Sequence, residues 1–394
     1  MSQARIRNRG RRIGLIAVSM CVAVGSLAMH STASDAPVAA AADAEARAIK
    51  LSIATATPQD LMTAAALFEE GAKAGRPVSQ WMLASFYVDG LGVTKDVAKA
   101  FALNRAAAEQ GFARAQGSLA IMYLTGTGTK KDSQAASRWL ALAAQQGEPR
   151  AIAQLARMYA SGEGVPRDLG MGKELLRRAA ELGDSTSALQ FGWRVLHGLP
   201  EDRDVRLGLH YLEAAAQKGN EVAAYGLAQV FLIGSKAPRD LQRAAKWMAQ
   251  AANDKHEIAA LWLSELYAKG LGVARDPQRA AQLLERALAT TGVAAKNEFA
   301  WQLAVVDDAL LRNGALALKI MEAALADPQA RKPAYLDTLA AAYAEVGDFK
   351  AAVAMQLQAL DAIKENVPAS QRNSRMEARV ADYRAGKAFR EGQQ

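Results

Sequence analysis

Cysteine is almost missing from this chain of 394 residues: Cys21 stands alone, so an internal disulfide, a zinc knuckle and an iron–sulfur site are all excluded as organising staples. Aromatic residues are scarce too, at 6%, which argues against β-rich domains built on aromatic cores. The abundant alanine in their place points to helices packed close together. Histidine numbers four, His30, His197, His210 and His256, without the i, i+4 or clustered spacing that metal binding or general-base chemistry favours, and each reads as a solvated side chain. The stretch Gly126-Thr-Gly128-Thr-Lys130-Lys131 lacks the Gly-Lys-Ser/Thr ending and the preceding strand of a phosphate cradle. No catalytic residue, cofactor or metal is therefore expected. What is present, 51% hydrophobic and 22% charged residues, is globular composition rather than collagen or disorder.

The net charge of +8 is concentrated at one end. Arg5, Arg7, Arg9, Arg11 and Arg12, with no acid among them, precede an apolar run from Ile13 to Met29, and Ser31-Thr32-Ala33 then offers a signal-peptidase site. Residues 1–33 read as a Sec-type signal peptide; uncleaved, the same run would be an inner-membrane anchor facing the periplasm, a tether for the rest of the chain. Met20 before Cys21 does not fit a lipidation box. Without these residues the net charge falls to +3, and with no basic patch or motif left, nucleic acid is not an expected partner. Residues 34–58, rich in Ala and Pro, read as a linker with some helical character.

Self-comparison reveals a period of 36 residues without insertion. Asp96, Asp132, Asp168, Asp204, Asp240 and Asp276 share that spacing, each preceded by a base: Lys95, Lys131, Arg167, Arg203, Arg239 and Arg275. Tyr87, Tyr123, Tyr159, Val195, Phe231 and Tyr267 keep the same register, as do Gly90, Gly126, Gly162, Gly198, Gly234 and Gly270. Six units span 76–291, after a leading half-repeat at 59–75. Each unit decomposes into two helices: the first glycine supplies positive φ where helix one ends, and the Asp is placed to cap helix two. One such pair cannot bury its apolar face alone, but a stack can. The fourth and fifth units depart from the pattern, with Val195 and Pro200 in one and Lys236, Ala237 and Lys255 in the other, so their loops are expected to differ.

The pattern Leu-Ala-x2-Tyr-x2-Gly-x-Gly-Val-x-[Lys/Arg]-Asp-x3-Ala-x6-Ala-Ala-x2-Gly, clearest in Leu83–Gly111 and Leu155–Gly183, resembles the Sel-one-like repeat, a relative of the tetratricopeptide repeat. Residues 296–364 change register. There Leu336, Leu339, Ala340, Tyr343, Gly347, Ala352 and Ala359 resemble a tetratricopeptide repeat, while the pair at Asn297–Ala304 and Ala315–Leu325 matches loosely. Met376, Val380 and Tyr383, at i, i+4 and i+7, mark a closing helix within 370–394. The resemblance implies an all-α fold, an α/α solenoid wound as a right-handed superhelix of helix-turn-helix repeats, with a concave ligand surface, adaptor function in multiprotein complexes, frequent export in bacteria and no shared catalytic residues.

Two surfaces follow as expectations. The basic column from Lys95 to Arg275 is mildly unfavourable beside a helix N-terminus and needs an offset; an acid on the adjacent unit is preferred to an anion-binding ridge. For the partner-binding face, first-helix positions that vary between units supply Met82, Phe86, Met122, Met158, Arg194 and Trp262, with core packing as the alternative. The function expected is an exported, non-catalytic adaptor or scaffold holding protein partners in the bacterial cell envelope. The alternatives are a glycan or polysaccharide-export scaffold, and a hydrolase or β-lactam-binding protein like Cys-rich relatives, which the absence of mature Cys disfavours.

Overall fold

A computed structural model describes residues 36–52, 56–198, 203–326, 331–364 and 374–391. The expected signal segment with Cys21 and His30, and also Pro200, lie outside the described residues. Every regular element among those described is an α-helix. The first two are α1 (Ala36–Leu51) and α2 (Pro58–Lys73). Six helix pairs follow: α3 (Pro77–Asp89) with α4 (Val97–Glu109), α5 (Ala113–Thr125) with α6 (Ser133–Gln145), α7 (Pro149–Ser161) with α8 (Leu169–Glu181), α9 (Ser185–His197) with α10 (Val205–Gln217), α11 (Glu221–Ile233) with α12 (Leu241–Asn253), and α13 (Ala259–Lys269) with α14 (Pro277–Thr290). The last five are α15 (Val293–Val305), α16 (Gly314–Ala324), α17 (Pro333–Glu345), α18 (Phe349–Lys364) and α19 (Ser374–Arg384). Pairs such as α3 and α4, or α7 and α8, pack on each other and on the next helix in sequence, which is an α/α solenoid. The chain divides into two compact units, Met1–Phe191 and Gly192–Gln394.

The stretch expected as a linker is mostly the helix α1. Alanine carries the highest helix propensity, and docking holds the helix in place: Ala48 is buried, and the Arg76 guanidinium donates to both oxygens of buried Glu45, at 3.2 and 3.0 Å. A capping box between Thr57 and Asp60 then starts α2.

Each repeat is shaped by the same local chemistry. The repeated Asp side chain accepts from the third backbone N–H of the helix it starts, as from Ala135 at 2.8 Å and Met171 at 2.9 Å. The Asp backbone N–H in turn donates to the carbonyl of the aromatic column, Asp168 to Tyr159 at 2.8 Å and Asp276 to Tyr267 at 2.9 Å, which ties off the loop. The second glycine of each Gly-x-Gly holds two devices at once. Gly128 and Gly164 lie at φ 71° and 74°, and a Cβ there would overlap the carbonyl of Val97 or Ser133, the first residue of the preceding repeat's second helix.

The alanines form the seam. Ala84 and Ala100, Ala120 and Ala136, and Ala228 and Ala244 are fully buried pairs sixteen residues apart, at the positions where the two helices of a repeat cross. The same positions are Ala156 with Gly172 and Gly192 with Gly208; a Cβ on Gly208 would stand 3.0 Å from the Gly192 carbonyl oxygen. Such close crossing leaves little room for aromatic rings, which accounts for their scarcity.

The second unit ends differently. Arg379 on α19 meets buried Asp337 on α17 through three hydrogen bonds of 3.0, 2.8 and 2.7 Å, and the Gln356 amide donates to the same carboxylate at 2.7 Å. The guanidinium packs against the rings of both Trp301 and Phe389, 5.4 and 5.1 Å from their centroids, and the two rings touch each other with centroids 5.9 Å apart. Met376, Val380 and Tyr383 are buried, so α19 covers the end of the stack with an apolar face.

Candidate protein-interaction surface

Five of the six residues expected on a partner face are in the core. Met82, Phe86, Met122, Met158 and Trp262 are all 5% exposed or less; Arg194 alone is exposed. Their columns share a helix face with Ser79, whose hydroxyl donates to Glu45 of α1, and with Leu83, which joins Ala48, Ala64 and Phe68 in the core, so the packing alternative applies to them. Trp262 also donates its indole N–H to Gln302 at 2.8 Å, and Gly226 in the same column leaves the space that the Trp193 ring fills.

The accessible face stands one residue earlier in the period. In the first unit it comprises Val78, Trp81 and Ser85 of α3, Arg114, Gly117 and Ile121 of α5, and Arg150, Ala153 and Arg157 of α7. These positions are i, i+3 and i+7 on each helix and lie opposite the buried arc. Trp81 is anchored by its indole N–H to Ser118 at 3.0 Å, by an edge contact with Phe112 at 5.8 Å, and by the Arg114 guanidinium 5.7 Å above its ring. Ile121 is 42% exposed, and Arg150 and Arg157 reach solvent. The result is an aromatic and aliphatic strip set among three guanidinium groups with no carboxylate in the same columns.

The matching face of the second unit is neutral. Tyr225 OH accepts from Gln229 at 2.9 Å and meets Gln302 at 3.5 Å, and burial pushes its pKa up to about 12. One residue of the sixth repeat is closed off: Glu265 accepts from Lys269 at 2.9 Å and from Asn313 at 2.9 Å, and Lys269 also donates to the carbonyls of Leu310 and Arg312. The first-helix face here therefore narrows to Trp193, Val222, Tyr225 and Gln229.

The basic column finds two kinds of offset. Lys131 pairs with Glu163 of the next repeat at 3.1 Å, and Arg239 pairs with Asp308. Arg167 and Arg275 instead donate to the carbonyls of Ala160 and Ala268, at 3.2 and 3.0 Å, in the last turn of their own first helix. A cation at that negative helix end offsets its cost at the following N-terminus, a role that sequence spacing did not suggest. Among the histidines, His256 is not a solvated side chain. It stacks on Tyr225, centroids 4.1 Å apart, with Nδ1 buried and without a hydrogen-bond partner. No group of His, Cys, Asp or Glu that could hold a metal occurs among the described residues, and no described helix is long and apolar enough to cross a membrane.

This geometry of caps, closures and seams is that of a known repeat. The Sel1 repeat pattern matches residues 77–112, 113–148, 149–184, 189–220, 222–256 and 258–289, together more than half of the chain. The chain belongs to the Sel1 repeat family. A Sel1 repeat protein from Oxalobacter formigenes is 32% identical, with a TM-score of 0.51 over 58% of this chain and 93% of that one. A protective antigen of uropathogenic Escherichia coli strains, displaying an SLR fold, is 23% identical with a TM-score of 0.62, over 89% of this chain and 73% of its own. No curated protein matches the sequence significantly. Sel1 repeat proteins are generally scaffolds for protein–protein interaction, and the Sel1 solenoid is generally non-catalytic.

Proposed function

We propose that this protein is an exported, non-catalytic scaffold of the bacterial cell envelope that docks protein partners on the first-helix face of its repeats. The carrying observation is the strip around Trp81 and Ile121, flanked by Arg114, Arg150 and Arg157. A rigid tryptophan and guanidinium groups are the side chains that dominate protein–protein hot spots, and here they project from helices held in fixed register by the repeat. Export rests on the five arginines followed by the apolar run and the Ser31-Thr32-Ala33 site.

Photocrosslinking residues placed at Ile121 and Arg157 of the full chain, expressed in a bacterial host of its own kind, test the docking face. A discrete protein adduct is expected from both positions and not from Leu142, which is exposed on the second helix α6. It should be lost with Trp81→Ala. Adducts of equal yield at Leu142, or none at either position, would overturn the assignment. Mass spectrometry of the chain's N-terminus in the same cells decides the address: Ser34 as first residue means a cleaved periplasmic protein, retained Met1 in the membrane fraction an anchored one, and recovery from the cytosol refutes export.

A further inference from the structure

A cleft of about 630 Å³ lies between α10 of the fourth repeat and the loop of the fifth. Its origin is readable residue by residue. In the second repeat, Gly128 presses its backbone onto Val97 and Phe101, the first and fifth residues of the preceding second helix. The corresponding residues of α10 are Val205 and Leu209, and both line the cleft. Opposite them the fifth repeat carries Lys236 in place of the second glycine and Ala237 in place of valine. A side chain at the glycine position cannot take up the close approach, and the smaller Ala237 leaves space where Val165 is packed into the core in the third repeat.

The walls have a definite chemistry. Val205, Leu209 and the ring of Phe231 are apolar, and Arg206, Arg239 and Arg243 bring three guanidinium groups. Both lining carboxylates are already engaged: Asp240 accepts from the Arg243 backbone N–H at 2.9 Å, and Glu213 pairs with the Arg243 side chain, whose plane lies 3.8 Å over Phe231. Arg239 is held by Asp308. Arg206 and His210, one turn apart on α10, form no ion pair with any described residue. In the other repeats the position of Arg206 is Ala98, Gln134, Gly170, Gln242 or Gln278, so this cation accompanies the cleft and is not a property of the repeat.

We infer that this cleft binds a short linear segment of a protein partner, in which an Asp or Glu side chain stands next to a bulky apolar one. The carboxylate is matched to Arg206 at the rim, and the apolar group to the part-exposed Val205 and Leu209. The inference rests on the scaffold reading and adds a peptide class and a site apart from the Trp81 face.

The test is panning of the full chain with a phage-displayed heptapeptide pool, in parallel with the variant Lys236→Gly/Ala237→Val, which restores the glycine and valine of the other repeats. Peptides pairing an acid with Leu, Ile, Phe or Trp should be enriched on the native chain alone. Made synthetically with a fluorophore, they should bind at least tenfold more weakly to Arg206→Glu and to the restored-loop variant, and equally well to Trp81→Ala. Arg206 is an exposed side chain, so its variant reports on binding even if the restored loop alters folding. No enrichment relative to the restored loop, or affinity unchanged in both variants, overturns the cleft assignment. The crosslinks at Ile121 stand or fall independently, so failure here is distinguishable from failure of the scaffold reading.

Discussion

The third and fifth repeats have the same length and nearly the same loop, Gly162-Glu-Gly-Val-Pro-Arg-Asp168 against Gly234-Ser-Lys-Ala-Pro-Arg-Asp240, yet one is closed and the other open. In the third, Gly164 approaches the Ser133 backbone, its carbonyl accepts from Ser137 at 3.3 Å, and Glu163 accepts from Ser133 at 3.0 Å and Lys131 at 3.1 Å. In the fifth, the Asp cap, the Asp-to-aromatic loop bond and the left-handed first glycine all persist, and still the junction opens. The two hydrogen-bond devices therefore shape the loop, whereas the second glycine lets the loop press against the second helix of the preceding repeat. Evolution of a binding cleft in such a stack needs no insertion, only a side chain where close approach was required.

The sharpest way to break this comparison is to exchange the side chains. Gly164→Ala combines a left-handed backbone with overlap on a carbonyl, and should cost about 3 kcal/mol or more, read by urea denaturation of the full chain. Lys236→Ala should change stability by less than about 0.5 kcal/mol, since no close approach depends on it. Equal losses at the two positions would mean that the close approach at the second glycine contributes nothing.

The repeats differ again where helix two ends. Gly183 closes the third at φ 92°, but in the fifth Lys255 is held at φ 71°, the sole non-glycine residue with positive φ among those described. A left-handed residue with a Cβ is strained. Lys255→Gly should therefore stabilise the second unit by about 1 kcal/mol, and Gly183→Lys should destabilise the first by a similar amount. A Tm that falls for Lys255→Gly would show that the lysine side chain contributes more than its backbone costs.

The next residue makes the fifth repeat acid-sensitive. Burial pulls the His256 pKa below its ordinary 6.5, against the opposing pull of Glu221 and Glu257. With a depressed folded pKa, the neutral form is favoured in the native state. Its contribution is complete above pH 6.5 and is lost as pH falls through the folded value. The melting temperature of the second unit should thus drop as pH falls below the ordinary value of 6.5, and His256→Phe, which keeps a ring against Tyr225, should flatten that part of the profile. In the third repeat the equivalent residue is Asp184, which caps α9 by accepting from the Ser187 N–H at 2.7 Å.

Much of this was legible because a 36-residue period repeats each clue. Asp, Gly and the alanine pairs each serve a local backbone or crossing geometry, so spacing alone locates them, and Lys236, Ala237 and Lys255 stand out as exceptions. Met82, Phe86, Met122 and Met158 stand in the core, one residue from the accessible columns of the first unit. Met82 and Trp81 differ by 100° on the helix, and both columns vary between repeats, so variability cannot say which of them faces the core. Arg167 and Arg275 escaped for another reason: their partners are backbone carbonyls, which leave no mark in the sequence. The cleft itself is the absence of a contact, visible only once Val205 and Leu209 are seen lining it together with Ala237 and Pro238.

The smallest difference is electrostatic. Lys131 and Ser133 hold the Glu163 carboxyl below the usual carboxylate range, but both charged side chains are largely exposed, so the pair gains little over its hydrated parts. Glu163→Gln should cost under about 1 kcal/mol at low salt and nothing measurable at 1 M salt, where the Debye length is about 3 Å. With the folded pKa lowered, the contribution is present above the ordinary value of 4.5 and disappears as pH falls through the folded one. Ser235, at the same position in the fifth repeat, offers no carboxylate to α10. A Ser235→Glu variant that leaves the cleft open would confirm that the glycine, not the ion pair beside it, closes the third repeat's junction; one that closes it would reverse that order of importance.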